Sequence, residues 1–364
     1  LTLQPDDYIT LDGDISTESQ FQKPLRGQVP LDSLLYIERP PLEALGYEEV
    51  MQAGALIRIR APRQLGKTSL MVRILAVAQE RGLRVIVVNL QLADASVFRD
   101  LNRFLRWFCA VVTRNLQFPN RVDQYWDDML GNSYNCTEYF ENYLLPELND
   151  PLVLAIDELD AVFSHSNIAA DFFSMLRAWY EKSRYGNGNS SMWQRLRLVV
   201  VHSTEIYTPL NLNSPLNVGL LLDLPNFTAE QVQDLVQRYG IESKDLTPRL
   251  MELLGGIPAL TQSVLHHLSR GEITLDHLTP SAIAANSIFS SHLRRQLAYL
   301  QQQPHLIASL EQVIFATEPL DLNPLQAFGL QSLGLVQLKN LKAVPTCNLY
   351  RDYFMQVLPN LSSK

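Results

Sequence analysis

Residues 57–71 read IRIRAPRQLGKTSLM, and in them Gly66, Lys67 and Thr68 have the types and spacing of a phosphate-binding loop. The full pattern is G-x-x-x-x-G-K-[ST], and here its first position is Ala61. A glycine is needed there only if the backbone must take positive φ; Ala61 restricts that without forbidding an ordinary conformation. The apolar run before the loop ends at Arg60, and a helix is expected to begin near Lys67. Backbone N–H groups at such a turn are placed to hold phosphate oxygens. In this reading Lys67 neutralises the β- and γ-phosphates and Thr68 sets its hydroxyl on Mg²⁺, while Pro62, Arg63, Gln64, Leu65 and Ser69 complete the loop.

A second chemical motif is LVLAIDELDAVF, residues 152–163. An apolar run that ends in Asp-Glu has the Walker B pattern, a carboxylate pair at the exposed end of a buried strand. Asp157 is expected to hold Mg²⁺ through its water shell. Glu158 is expected to orient or polarise the attacking water, acting with Lys67 as the catalytic pair. Two solvated carboxylates after a core strand would be the ordinary alternative. The segment GGIPAL, 255–260, reads as a turn at a helix–helix junction that needs no ligand. His266 and His267 are adjacent, so they point in different directions and do not have the i, i+4 spacing of helical metal ligands.

The elements that must position these groups are legible as alternation of period and type. ALIRIR (55–60), RVIVVNL (84–90), LVLAIDE (152–158) and LRLVVVHS (196–203) are short runs rich in Val, Ile and Leu, as in buried parallel strands. Helical stretches separate them, among them 96–116, where Phe98, Leu101, Leu105, Phe108 and Val112 fall on one face. Trp107, Phe104 and Phe108 read as core. GNGNSS, 186–191, reads as a turn before the fourth strand. The fold class expected is α/β, a three-layer sandwich of P-loop type. After Leu224 the strand runs stop. Thr228 to Gln231 forms a capping box, and Thr247-Pro248 reads as a cap followed by proline at the first helical position. HLIASLEQVIFA and NPLQAFGLQSLGLV read as two helices, and LVQLKNLKAVPTCNLYRDYF as a β-hairpin, an order that suggests a winged helix. The division expected is an N-terminal arm at 1–34, the P-loop domain at 35–224, a helical unit at 225–300 and a winged-helix domain at 301–364.

Composition narrows the function classes. The chain has 364 residues, 46% hydrophobic and 19% charged, as an ordered globular protein does, and its net charge of −8 gives no overall basic footprint. Three widely spaced cysteines, Cys109, Cys136 and Cys347, fit a reducing cytoplasmic compartment. No apolar run reaches the roughly 18 to 20 residues of a membrane helix. The acidic start lacks the basic region of a signal peptide, and a first residue of Leu is consistent with a part of a longer chain.

Taken together, YIERPPLEAL (36–45), LIRIRAPRQLGKTSL (56–70), FLRWFCAVV (104–112), PLVLAIDELDAVF (151–163), LRLVVVHSTEIYTPLNLNSPLNVG (196–219) and LYRDYF (349–354) resemble the AAA-like ATPase domains common in cyanobacteria. That family is related to the STAND signalling ATPases and to ORC/Cdc6-type AAA+ proteins, and the likeness runs from about residue 28 onward. It implies ATP with Mg²⁺ as ligands and a helical lid at 225–300. It also implies a polar residue at the tip of the LRLVVVHSTE strand that reports the γ-phosphate. Ser203 and Thr204 are the candidates, with His202 as an outsider, and a strand-end cap is the ordinary alternative. Gly256 and Pro258 would touch the adenine, and Tyr36, Ile37, Glu38 and Arg39 are drawn toward the base. Asp160 departs from the expected pattern. The function implied is an ATP-reading signal-transduction switch with slow hydrolysis, working with a protein partner or by self-association. Two alternatives stand beside it: a DNA-binding regulator using the winged helix, and a non-hydrolysing ATP-bound scaffold. NPLQAFGLQSLGLV carries no Lys or Arg for phosphate and base edges, which weighs against the DNA reading. Arg177, Arg184, Arg195 and Arg197 are open candidates for a phosphate-facing or intersubunit arginine.

Overall fold

A computed structural model describes residues 27–184, 190–204, 217–274 and 287–361. Most of the expected N-terminal arm, the GNGN turn and all of the STEIYTPLNLNSP segment after Thr204 lie outside these residues.

The first half of the chain runs α1 Leu42–Glu49, β1 Leu56–Ala61, α2 Lys67–Glu80, β2 Arg84–Asn89, α3 Leu101–Asn115, α4 Asn132–Tyr139, β3 Leu152–Asp157, α5 Ser166–Lys182, β4 Leu196–Ser203 and β5 Leu220–Asp223. All the strands pair in parallel, in the order β2-β3-β4-β1-β5. The four expected strands are present; β5, LLLD, is too short to stand out as a run. Burial on both faces explains the unbroken apolar runs. Ile57, Ile59, Val153, Ala155, Val199 and Val201 pack with α1 and α2. Their alternate neighbours, among them Leu154, Ile156, Leu198 and Val200, pack with α3, α4 and α5. This is the three-layer α/β arrangement, with a period of two in every strand. Phe104 and Phe108 are fully buried and Trp107 packs against the same core. Cys109 and Cys136, distant in sequence, bring their Sγ atoms within 3.4 Å as free thiols.

The helix α3 starts later than its apolar spacing suggests, because the Asp100 side chain accepts from Arg103 N at 2.8 Å and fixes the N-terminus there.

Beyond Leu224 come α6 Ala229–Arg238, α7 Leu246–Leu254, α8 Pro258–Ser269, α9 Ser290–Gln301, α10 Ile307–Phe315, α11 Pro324–Ser332, the hairpin β6 Val336–Lys339 with β7 Lys342–Pro345, and α12 Asn348–Leu361. One apolar core joins them from Phe227 to Leu358 and takes in Leu35 and Ile37 from the N-terminal segment. The capping box at Thr228 and Gln231 forms with both of its bonds. Two sequence readings are corrected. Helix α7 begins at Leu246, ahead of the expected cap, because the Thr247 hydroxyl goes to Gln233 Oε1 at 2.6 Å. NLYRDYF is helical and lies outside the hairpin. Leu349, Tyr350, Phe354 and Leu358 recur at helical spacing on one buried face. The hairpin closes earlier, through Asn340 and Leu341, both with positive φ as a two-residue turn of this kind requires.

Candidate functional site

The loop between β1 and α2 is shaped by two left-handed residues, and neither is at the first pattern position. Gln64 has φ 67 and Gly66 has φ 89, whereas Ala61 is a fully buried strand residue paired with Ser203 of β4. Ala61 therefore needs none of glycine's freedom. Gly66 does, and a Cβ there would also meet the Arg39 guanidinium at 3.2 Å. Gly66 is the N-cap of α2, and no side chain caps the helix there. The first-turn N–H groups of an α-helix have no intrahelical partner and carry the positive end of its dipole. Lys67 sits on this turn with Nζ 3.1 Å from Ala61 O and 3.2 Å from Pro62 O.

Across the loop, β3 ends in Asp157, which is 6% exposed. Its Oδ2 stands 3.5 Å from Thr68 Oγ1 and its Oδ1 accepts from Glu158 N at 2.9 Å. Burial raises the Asp157 carboxyl to about 6, and the bond from Glu158 N, with the nearby Lys67 ammonium behind it, offsets only part of this. Glu158 turns the chain at φ 55 out of the strand and into the short helix Asp160–Phe163. Asp160, the departure in the sequence pattern, has a structural task. Its Oδ1 accepts from Ser203 N at 2.7 Å, which fixes the tip of β4 between the loop and the carboxylates. Its other oxygen is buried and lies 4.0 Å from the Arg63 guanidinium. His202 is buried beside it, its imidazole lowered to about 4 by that burial.

These groups open into a cleft of about 660 Å³, within the range of small-molecule sites. One wall is the loop from Arg63 to Ser69 with Asp157, Glu158, Asp160 and Ser203. The opposite wall comes from the second half of the chain and includes Pro258, Ser263, His292 and Arg295. Tyr36, Ile37 and Arg39 close one end together with Gly27 to Val29. That end is firmly tied. The Tyr36 hydroxyl donates to Glu43 at 2.8 Å, Arg39 donates to Leu65 O at 2.6 Å, and Val29 N donates to the Ser69 hydroxyl at 2.9 Å. Arg73 lies 3.5 Å over the Tyr36 ring and holds the carbonyls of Val29 and Pro30.

The remaining sequence candidates fall in different places. Ala61 and Pro62 do not line the cleft; their carbonyls accept from Lys67 Nζ, and Pro62 lines a neighbouring cleft. Thr204 lines a neighbouring cleft and donates to Ser332 O at 2.7 Å. Gly256 is outside the cleft wall; its carbonyl accepts from Phe227 N at 2.8 Å, and Phe227 reaches the cleft. Arg197 is at the opposite end of β4 from Ser203, about 20 Å away along the strand, and Arg195 just precedes that strand. Arg177 is paired with Glu181 and Arg184 lies over Tyr180. None of the four lines the cleft.

His292, Arg295 and Phe227 reach the cleft without any motif to announce them. For His292 and Arg295 the sequence signal is the run SSHLRRQL, a helix that carries two arginines and a histidine in an otherwise plain segment; for Phe227 there is none.

For a divalent cation, Thr68 and Asp157 offer one hydroxyl and one carboxylate. Among the described residues no group of three or more His, Cys, Asp or Glu gathers into a protein-only cage. Such a sparse donor set suits Mg²⁺, which is bound through one or two protein ligands with phosphate oxygens and water. Among the described residues, no helix is long and apolar enough to cross a membrane.

Fold and site together define an AAA-like P-loop NTPase. The sequence model of the AAA-like domain family matches residues 24–356, and the chain belongs to that family. Among solved structures it is similar to the Walker-type ATPase of Pyrococcus abyssi, at 13% identity and a TM-score of 0.63, over 92% of this chain and 99% of that one. It is also similar to Cdc6p from Pyrobaculum aerophilum, at 13% identity and a TM-score of 0.45, over 94% and 98%. AMPPCP-bound DnaA from Aquifex aeolicus follows at 10% identity and a TM-score of 0.41, over 90% and 91%. No curated protein matches the sequence.

Proposed function

We propose that the chain is an ATP-binding switch of the STAND/AAA-like type that hydrolyses ATP slowly and signals through a protein partner or through its own association. The observation that carries this reading is the shared cleft. A phosphate loop and two carboxylates on one wall face His292 and Arg295 on the other, and the second wall belongs to a separate half of the chain. A ligand that bridges both walls favours one arrangement of the halves over others, which is what a switch requires.

The residues fit Mg-ATP. The α2 N-terminus without a capping side chain suits phosphate oxygens, and the 3.5 Å approach of Thr68 to a buried Asp157 suits a small cation that shares them. Bound Mg²⁺ supplies neutralising charge to the phosphate oxygens. Lys67 holds the β- and γ-phosphates, and Thr68 with Asp157 holds the cation. Glu158, directed into the cleft by its left-handed backbone, orients water for attack on the γ-phosphorus. Ser203 is the γ-phosphate reporter in this reading, because its amide is fixed by Asp160 and it lines the cleft, whereas Thr204 faces Ser332. Tyr36, Arg39 and Pro258 bound the base end, and Gly256 acts there through Phe227.

In the same reading residues 35–224 are the ATPase domain, 225–300 the lid and 301–364 a winged-helix domain in a cytoplasmic protein. Helices α10 and α11, the hairpin and the bridge between Leu320 and Ala343 have the order of that fold. Helix α11 exposes Leu325 and Phe328 and has no cationic side chain, so a protein surface suits it better than DNA. The test is to load purified protein with Mg-ATP and follow phosphate release with and without candidate partners. Slow release that depends on Glu158 supports the switch; binding without any release favours a scaffold.

A further inference from the structure

The phosphate loop does not stand alone. Gln64 holds a left-handed backbone, φ 67, that residues with a side chain rarely adopt, so its surroundings must hold it there. Its Oε1 lies 2.6 Å from Nδ1 of His292 on α9, and His292 Nε2 lies 2.7 Å from the Tyr350 hydroxyl on α12. The imidazole stacks on the Tyr350 ring at 5.7 Å with 10° between the planes. An amide oxygen can only accept, so Nδ1 carries the proton and donates to Gln64. Nε2 is then the acceptor for the Tyr350 hydroxyl. The chain of donors runs one way, from α12 through His292 to the loop. The two preceding loop residues also rest on this half of the protein. The Arg63 guanidinium donates to the Tyr299 hydroxyl and lies 5.2 Å over its ring. A Cβ added at Gly334 would come within 3.3 Å of Pro62.

We propose that His292 and Tyr350 are positioning residues of the phosphate loop: they hold Gln64 in its left-handed turn and so tie the loop's readiness for phosphate to the seating of α12. This rests on reading the cleft as a nucleotide site. Coupling between sites is reciprocal, so a nucleotide that grips the loop also firms the seat of α12. The relay deepens the switch reading by naming the contact through which the loop and the C-terminal helix report to each other.

The test is a double-mutant cycle on Mg-ATP affinity with Gln64→Ala, Tyr350→Phe and the pair together, with Lys67→Ala as control. Tyr350→Phe keeps the stacked ring and removes only the hydroxyl, so the variant is expected to fold. Loss of one buried hydrogen bond at the relay should weaken affinity about 5-fold in Tyr350→Phe, a net worth near 1 kcal/mol. In the Gln64→Ala background the same change should have no further effect, because the link it acts through is gone. Mg-ATP should slow amide exchange in α12 of the wild type and fail to do so in Gln64→Ala. If Mg-ATP binds the wild type but Tyr350→Phe lowers only the melting temperature, or the two effects on affinity add, the relay proposal is overturned and the nucleotide reading stands. If the wild type does not bind Mg-ATP, or Lys67→Ala binds it equally well, both fall.

Discussion

Thr68 Oγ1 stands 3.5 Å from Asp157 Oδ2, although the two residues are 89 positions apart. The sheet order makes this contact. Strands β1 and β3 flank β4, so their ends are about 10 Å apart, and the first turn of α2 spans that gap. The tip of β4 lies between them, fixed by the bond from Ser203 N to Asp160. Three strand ends thus build one site at the carboxyl edge of a parallel sheet, where open α/β sheets bind their ligands.

Replacing Glu158 should separate turnover from binding. In the proposed reading phosphate is held by Lys67, Thr68 and the α2 N-terminus, and Glu158 is not needed for that. Glu158→Gln keeps size and hydrogen-bonding capacity and removes the charge. Nucleotide affinity should stay within about threefold while phosphate release falls by about 100-fold, the usual scale for a general base. Both are measured on one sample. Release at the wild-type rate would remove Glu158 from the reaction and make Asp160 the next residue to examine.

Ala61→Gly should leave affinity almost unchanged. The residue lies in the strand with an ordinary backbone, so glycine offers the loop nothing. It removes a fully buried methyl and adds freedom to the unfolded chain, a loss of about 1 kcal/mol. Urea unfolding checks the stability and a Mg-ATP titration checks the affinity; a gain of tenfold or more in affinity would show that the loop suffers from the missing glycine.

Gly256→Ala should be far more damaging than Gly271→Ala. Both glycines have positive φ, 73 and 67, but a Cβ at Gly256 would meet the Phe227 carbonyl oxygen at 2.1 Å while Gly271 has nothing within 4 Å. Backbone strain alone costs about 1 kcal/mol, and displaced backbone adds enough to reach about 3 kcal/mol at Gly256. Because Phe227 lines the cleft, Gly256→Ala should also weaken nucleotide binding. Equal unfolding midpoints for the two variants would contradict the packing described.

Acid should destabilise the fold through its buried histidines. Burial, helped by Arg295, lowers His292 to about 4 from its ordinary 6.5, and burial lowers His202 to about 4. Both are neutral in the folded protein, while the unfolded chain takes up their protons below about 6.5. The stability they contribute is complete above that pH and is lost as pH falls from 6.5 to 4. Asp157, raised to about 6, acts in the opposite sense within part of that window, because the folded state takes up its proton first. His292→Gln should therefore flatten the pH dependence by about 3 kcal/mol between pH 7 and pH 4. Unfolding free energies of the two proteins over that range supply the check, and parallel curves would refute the assignment.

Much of this site is legible in the sequence because its parts are local. A strand, a Gly-Lys-Thr turn and a strand ending in Asp-Glu each declare themselves within about ten residues, and their periods differ enough to separate strands from helices. The edge strand Leu220–Asp223 escapes notice because three leucines and an aspartate have no measurable period. NLYRDYF is misread because a proline and a cysteine before it extend the look of a hairpin, while its helical spacing emerges only over the full 14 residues of α12. The opposite wall of the cleft is the least legible part. His292 and Arg295 meet the loop through tertiary packing, and no spacing within SSHLRRQL says what they will face. Ala61 shows the converse. The pattern marks it as a departure, and the backbone shows that the left-handed positions are Gln64 and Gly66.

The measurement closest to the central claim is Mg-ATP binding by wild-type protein and by Lys67→Ala, followed by calorimetric titration and by the shift in melting temperature. Lys67, on the first turn of α2 beside Thr68, is the proposed partner of the β- and γ-phosphates. The account predicts that Mg-ATP stabilises the wild type by several degrees at saturating ligand and that Lys67→Ala loses at least 100-fold in affinity, about 2.7 kcal/mol. Equal stabilisation of both proteins, or none of either, would contradict it.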